Sequence, residues 1–321
     1  MANKNTKECI IIGGGPAGLT AGLYASRAGL KSLLIERGIF GGQIVNSSLV
    51  ENYPGFPDGI SGSELSSLMH QQADKYGLET QNAEVIKVNR GEFYYNVFTT
   101  EETFETLSVI ITCGSEYRKL TIPGEEKFLG YGVSYCATCD GFLFRDREVA
   151  VVGGGDTAIT DALELTRHVK KVYVIHRRDQ LRASQILQQR AFTEPKLDFI
   201  WNTVVEEIKG GKVVKELKLY DLKTENHFSL QVSGLFVAIG LVPNTQYFAN
   251  VIKLDKTGYI YVDEMMATST PGIFAAGDIR RNSLRQVAAS VGDGATAAMS
   301  TFKYVQEVED KISILNHSHR R

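Results

Sequence analysis

The chain has 321 residues, 43% hydrophobic and 22% charged, the proportions of a soluble globular protein too long for one ordinary core. A formal charge of −2 offers no basic surface for nucleic acid, and four cysteines are too few for a disulfide scaffold. No long apolar stretch precedes a small-residue cleavage site near the start, so neither a signal peptide nor a membrane span is expected, and the chain reads as cytoplasmic.

The first signal is a short apolar strand at 9–12. It runs into Gly13-Gly14-Gly15-Pro16-Ala17-Gly18 and an amphipathic helix through Ala28, and a second strand at 32–35 ends at Glu36. Strand, G-x-G-x-x-G, helix, strand and acid form the pattern that brings a pyrophosphate onto a helix N-terminus and offers a carboxylate to a ribose hydroxyl. A buried strand over 108–114 closes this unit.

Next comes Cys136-Ala137-Thr138-Cys139-Asp140. Two cysteines two residues apart can close a small disulfide or supply half of a zinc site. Zinc needs four ligands, and the remaining cysteines, Cys9 and Cys113, are isolated in apolar runs, which favours redox chemistry and no metal. Asp140 can serve as a proton donor to a leaving thiolate, or cap a helix that starts after the cysteines.

The opening unit then returns. A strand at 149–152 leads into Gly153-Gly154-Gly155-Asp156-Thr157-Ala158, a helix to about His168 and a strand at 172–175. Glu36 stands 18 residues beyond Gly18, and His176 stands 18 beyond Ala158, so the two units are in register. Where the first has a carboxylate, the second has His176-Arg177-Arg178 with Arg182, offering three cationic candidates suited to a ribose 2′-phosphate.

Alternating apolar and polar residues over 203–232 predict a β-meander, and 235–240 a buried closing strand. A last buried strand ends at Asp278, followed by a small-residue helix from Gln286 to about Tyr304. This return is expected to complete the first domain. The expected fold is α/β, with two Rossmann-like three-layer nucleotide-binding domains, the second inserted into the first in a hinge-like connection. Residues 1–116 and 246–321 form one domain, and 117–245 the other. The tail, His317 to Arg321, is read as disordered rather than metal-binding. Trp201 and the Tyr94-Tyr95 pair are read as packing residues, and His70, His168 and His227 receive no role.

Jointly, GGGPAG (13–18), Gly41-Gly42-Gln43, Asn52-Tyr53-Pro54-Gly55, CATCDG (136–141), GGGDTA (153–158), HRR (176–178) and GIFAAGD (272–278) with Arg285-Gln286 resemble the low-molecular-weight thioredoxin reductases. These are flavoproteins of the pyridine-nucleotide disulfide oxidoreductase class, and the resemblance covers roughly 7–305. In the glutathione-reductase type the cysteine pair lies shortly after the first glycine loop, a region (41–48) without cysteine here.

The resemblance implies a thioredoxin-disulfide reductase that passes electrons from NADPH through FAD and the Cys136–Cys139 disulfide to thioredoxin or a thioredoxin-like or glutaredoxin-like protein. It implies a homodimer that binds no nucleic acid and no membrane. Cys139 would face the flavin, Cys136 would attack the substrate disulfide, and Asp140 would act as acid and base. The implied FAD residues start with the loop, Gly13, Gly15, Pro16, Ala17 and Gly18. Glu36, Arg37, Gly42, Gln43, Asn52 and Val85 follow, then Gly277, Asp278, Arg285, Gln286 and Val287. NADPH would be held by Gly155, Asp156, Thr157, His176, Arg177, Arg178 and Arg182. Two departures stand out. Thr160 and Asp161 replace a pair of glutamates common in the family, which keeps open a related enzyme using ferredoxin or a deazaflavin as donor, or a dithiol oxidase. Cys113 replaces a small residue and is read as a buried, inert thiol. A redox sensor without turnover is the non-enzymatic alternative.

Overall fold

The computed structural model describes residues 6–47 and 49–318, with side chains through 314. The chain forms two compact units, one from 1–116 with 242–321 and the other from 117–241.

In the first unit, β1 (Thr6–Ile12), α1 (Pro16–Arg27) and β2 (Ser32–Glu36) follow the expected order. Then come α2 (Gly62–Lys75), whose N-cap Ser61 accepts the Glu64 N–H at 3.2 Å, and β3 (Glu79–Asn82), β4 (Val85–Arg90), β5 (Tyr95–Thr99) and β6 (Thr103–Ile111). The sheet runs β3-β2-β1-β6-β5-β4; β3, β2, β1 and β6 are parallel, and β5 and β4 are antiparallel additions. Successive side chains of β1 point to opposite faces: Ile11 joins the layer under α1, whereas Ile10 and Ile12 join a layer with Val88, Val97 and Phe248. Both faces are therefore covered, which is why β1 reads as an unbroken apolar run. Each such isoleucine stabilises the unit by about 1.5–3 kcal/mol relative to exposure.

After the crossing strand β7 (Ser115–Tyr117), the second unit comprises β8 (Val133–Ser134), α3 (Ala137–Asp140), β9 (Glu148–Val152), α4 (Asp156–Leu165), β10 (Lys171–Ile175), α5 (Gln185–Thr193) and β11 (Leu197–Ile200). The meander expected over 203–232 is present as β12 (Thr203–Gly210), β13 (Val214–Asp221) and β14 (His227–Gln231), and β15 (Gly234–Val237) closes the unit. The parallel sheet β11-β10-β9-β15-β8 carries α4 on one face, through Val149 and Val151, and the antiparallel sheet β12-β13-β14 on the other, through Ala150 and Val152. Helix α4 stops at Leu165 rather than near His168. The Thr166 hydroxyl bonds the Leu163 carbonyl at 2.8 Å, and the His168 carbonyl accepts the Asp146 N–H at 3.2 Å, which turns the chain toward β10.

The second crossing strand is β16 (Leu241–Pro243), and it pairs with β7. The return to the first unit falls at 241–242 rather than after 245. Asn244 already belongs to that unit: its N–H donates to Gly114 O at 3.1 Å and its side chain to Cys113 O at 3.0 Å. Strand β17 (Ile273–Ala275) then lies parallel to β6, and α6 runs over Val287–Ser318. That helix passes the expected end near Tyr304 because Val305, Val308 and Ile312 continue its apolar stripe into the layer shared with α1. Of the tail, His319–Arg321 lies outside the described residues. Among the described residues no helix is long and apolar enough to cross a membrane.

Candidate active site

The two glycine loops are built alike. The Gly13 N–H donates to Ile35 O at 2.9 Å, and the Gly153 N–H to Ile175 O at 3.1 Å. A Cβ on Gly13 would fall 2.6 Å from Thr112 O, and one on Gly153 would fall 2.4 Å from Ala238 O. Both residues also have positive φ, +109° and +154°, so the fold itself requires glycine there. At Gly15 and Gly155, by contrast, a Cβ would meet nothing within 4 Å. Each is the N-cap of its helix and makes no side-chain cap bond. Open space thus adjoins first-turn N–H groups twice in one chain, the arrangement that receives a phosphate.

Around the first loop, Glu36 at the end of β2 accepts the Gly14 N–H at 2.6 Å through one oxygen and the Gly38 N–H at 2.8 Å through the other. A carboxylate oxygen has a second lone pair for a ribose hydroxyl. Gly42 lies over the helix start, its would-be Cβ 3.2 Å from Gly15 Cα. Pro16 takes the first helical position, and Ala17 is buried where Gly277 meets α1. Asp278 follows β17 in a one-turn helix; burial raises its pKa and the Ser283 hydroxyl, 2.7 Å away, lowers it. The same hydroxyl accepts the Arg285 N–H at 3.2 Å, holding Arg285 at φ +58° just before Gln286 and Val287. Asn52 donates to Gln286 at 2.9 Å. Gln43 donates to the Ser115 carbonyl, and Arg37 pairs with Glu116. Val85 is a core residue 5% exposed, so only its backbone can serve a ligand. With an open glycine, a fixed acid at the ribose position and a second acid beyond β17, these residues fit FAD.

Around the second loop, the chain after β10 folds back so that the Arg182 N–H reaches Gly154 O at 2.7 Å, and Asp156 accepts the Ser184 N–H at 2.6 Å. His176 is placed beside the second loop as a neutral neighbour of the arginines. Its ring is buried, with Nε2 unpartnered, and burial first, then the neighbouring arginines, lowers its pKa. Arg177, Arg178 and Arg182 are exposed and supply the charge. Three guanidiniums beside an open glycine loop fit a dinucleotide bearing an additional phosphate, as in NADPH. Thr157 lies in the first turn of α4, and Thr160 is exposed on the same helix.

Cys136 and Cys139 are joined by a disulfide, their Cα atoms 5.3 Å apart. A one-turn 3-10 helix, Gly141–Phe144, does begin after them with Asp140 at its N-cap position, but the Asp140 side chain makes no capping hydrogen bond. The short helix α3 begins at Ala137 with Cys136 as its cap, and Cys136 Sγ accepts the Cys139 N–H at 3.2 Å. Asp140 ends that turn. Burial raises its pKa, and the Ser134 hydroxyl, donating to Oδ2 at 2.6 Å, opposes the rise. An acid drawn toward its protonated form beside a disulfide is suited to proton transfer with thiolates.

The other thiols are chemically quiet. Cys9 is fully buried, and burial pushes the Cys113 thiol up to about 12. Trp201 packs as expected, stacked on Phe199 at 5.0 Å. In the Tyr94-Tyr95 pair Tyr95 is buried while Tyr94 is 37% exposed. His70 stacks on Phe40, and His227 pairs with Glu206 at the surface. Two serines passed over in the sequence, Ser134 and Ser283, turn out to hold the two acids, and no spacing marks either one.

The pyridine nucleotide-disulphide oxidoreductase family model matches residues 7–294. A thioredoxin reductase of Listeria monocytogenes is 49% identical over 306 residues, 95% of this chain and 96% of the relative. One of Bacillus subtilis is 45% identical over 317 residues, 98% and 100% of the two chains. The crystal structure of the thioredoxin reductase from Streptococcus pyogenes superposes with a TM-score of 0.92 at 44% identity, covering 95% of this chain and 100% of that one.

Proposed function

The chain belongs to the pyridine nucleotide-disulphide oxidoreductase family, and from that premise we propose that it is an NADPH-dependent thioredoxin-disulfide reductase acting on thioredoxin or a thioredoxin-like or glutaredoxin-like carrier. The observation that carries the reading is the Cys136–Cys139 disulfide with a partly buried acid on the same turn, in a chain with two phosphate-open glycine loops.

FAD and NADPH are the cofactors, and bound flavin supplies the hydride chemistry that no side chain offers. The protein's part is to bind, orient and move protons. The Gly13–Gly18 loop and the N-terminus of α1 take the FAD pyrophosphate, Glu36 a ribose hydroxyl, and the Asp278 and Gln286 region the remainder of the cofactor. Gly155 takes the NADPH pyrophosphate, and Arg177, Arg178 and Arg182 its 2′-phosphate.

Once the disulfide is reduced, Cys136 as thiolate attacks the carrier's disulfide, breaking its S–S bond and forming a mixed disulfide. Cys139 then attacks Cys136 Sγ, restoring the intramolecular bond and releasing the second carrier thiol. Two electrons and two protons pass from the dithiol to the carrier. Asp140 takes the proton from an attacking thiol and returns it to a departing thiolate. Sparse cysteines, two of them free thiols, support a reducing compartment, the cytoplasm, and a homodimer is part of the same proposal.

A steady-state assay with NADPH and the host's thioredoxins and glutaredoxin-like proteins tests the reading. NADPH oxidation dependent on one of these carriers is expected, and none with any carrier would reject it. Stopped-flow bleaching of the flavin separates donors: fast with NADPH and slow with NADH is expected, whereas equally slow reduction by both would favour another donor.

A further inference from the structure

We propose that Ser134 is a positioning residue that lets Asp140 change protonation state without moving. This deepens the reading of Asp140 as acid and base and rests on it. The Ser134 hydroxyl is buried at the end of β8 and touches three groups at once. It donates to Asp140 Oδ2 at 2.6 Å, accepts the Cys136 N–H at 3.0 Å, and lies 3.3 Å from the Cys136 carbonyl oxygen. It has one proton and two acceptors within reach.

While Asp140 is ionised, that proton belongs on Oδ2. When Asp140 is protonated, its own O–H donates to Ser134 Oγ, and the serine proton turns to the Cys136 carbonyl. Both states keep the carboxyl bonded, so neither leaves a buried polar group without a partner. The rotor also joins the acid to the backbone of Cys136, so the proton donor and the attacking sulfur stay in fixed register through both thiol steps.

Asp140's surroundings make this hydroxyl decisive. Burial raises its pKa and the Ser134 hydroxyl lowers it; the neighbouring elements carry Asp156, Asp161 and Glu164 on α4, Arg145 after Phe144, and Tyr135 beside Ser134. His168 approaches the same turn through Gly141, where its Cδ2 lies 3.8 Å from the position of a Cβ.

The test is a titration of the Asp140 carboxyl in FAD-loaded protein by difference infrared spectroscopy, with Asp140→Asn identifying the band. A hydroxyl that donates to the anion lowers the acid's pKa, so Ser134→Ala should move the midpoint up by roughly one pH unit. The pH profile of thioredoxin reduction should move with it, at unchanged KM for thioredoxin. Ser134→Thr, which keeps the hydroxyl, should restore both. An unmoved midpoint in folded, flavin-retaining Ser134→Ala would overturn the proposal. So would a protonated Asp140 band in the unsubstituted protein at the frequency of a carboxyl without hydrogen bonds, a reading that needs no variant. If Asp140→Asn keeps the unsubstituted pH profile, the acid–base role of Asp140 fails instead, and the infrared midpoint still reports whether Ser134 holds the carboxyl.

Discussion

The imidazole of His176 occupies the space that a side chain at Gly154 would need, a Cβ there falling 2.3 Å from Cε1. The first unit repeats the relationship: a Cβ on Gly14 would lie 3.1 Å from Glu36 Cβ. In both loops the second glycine therefore makes room for a residue at the close of the second strand, Glu36 as its last residue and His176 just after it, and this coupling sets the distance between phosphate loop and ribose position.

Gly154→Ala should accordingly push His176 out of place. Overpacking of this kind costs about 1–3 kcal/mol. A lower thermal midpoint and weaker NADPH binding are expected with FAD content unchanged, measured by calorimetry, nucleotide titration and flavin absorbance. Unaltered NADPH affinity would show that the ring and the nucleotide site are independent.

Arg177→Ala and Arg178→Ala should each weaken NADPH by about 1.5–3 kcal/mol, the range for hydrogen bonds to charged groups, and leave NADH nearly unaffected. The ratio of kcat/KM for the two nucleotides reads this directly. His176→Gln should change the ratio far less, because a neutral buried ring contributes no charge to the phosphate.

Much of this was legible in the chain because repeated glycine loops and alternating buried strands are local signals. Gly13 to Glu36 and Gly153 to His176 show their geometry in spacing alone. What escaped depends on reach between elements. The charge state of His176 follows from burial against Gly154. The stop of α4 at Leu165 follows from a hydroxyl returning to its own helix. The direction in which Asp140 faces follows from Ser134, six residues back across a turn, and a periodicity has no term for such a contact.

The turn before α6 depends on a nearly buried ion pair. Arg280 Nε and Nη2 reach the two Asp293 oxygens at 2.6 and 3.0 Å, and the Gly277 N–H donates to the same carboxylate at 3.1 Å. Removing one partner of such a pair costs about 3–5 kcal/mol, since the other charge stays buried. Asp293→Ala should lower the unfolding free energy by that amount and release flavin, with Arg280→Ala and the double variant completing a cycle. Additive losses would show that the two side chains do not act as a pair.

Thiol chemistry should distinguish the four cysteines. A thiol whose pKa is raised in the folded protein stabilises it below the unfolded value and loses that contribution as pH rises through the folded one. For Cys113 the window runs from the ordinary 9.0 to about 12, so stability should fall across it. At pH 8 the native oxidised protein should show no rapidly reacting thiol with Ellman's reagent, and the reduced protein two. A fast thiol in oxidised protein would point to Cys113 and overturn its assignment as inert.

The last test separates the two sulfurs. In the proposed order Cys136 meets the carrier and Cys139 resolves the mixed disulfide. Cys139→Ser should leave flavin reduction by NADPH intact while abolishing carrier turnover, and it should trap a covalent complex with oxidised carrier through Cys136. Cys136→Ser should also lose turnover but trap no such complex, since Cys139 meets the flavin side of the exchange. Stopped-flow absorbance follows the flavin, and non-reducing electrophoresis follows the complex. If Cys136→Ser traps the carrier and Cys139→Ser does not, the sulfurs have exchanged roles; if Cys139→Ser retains turnover, the disulfide is not the route to the carrier.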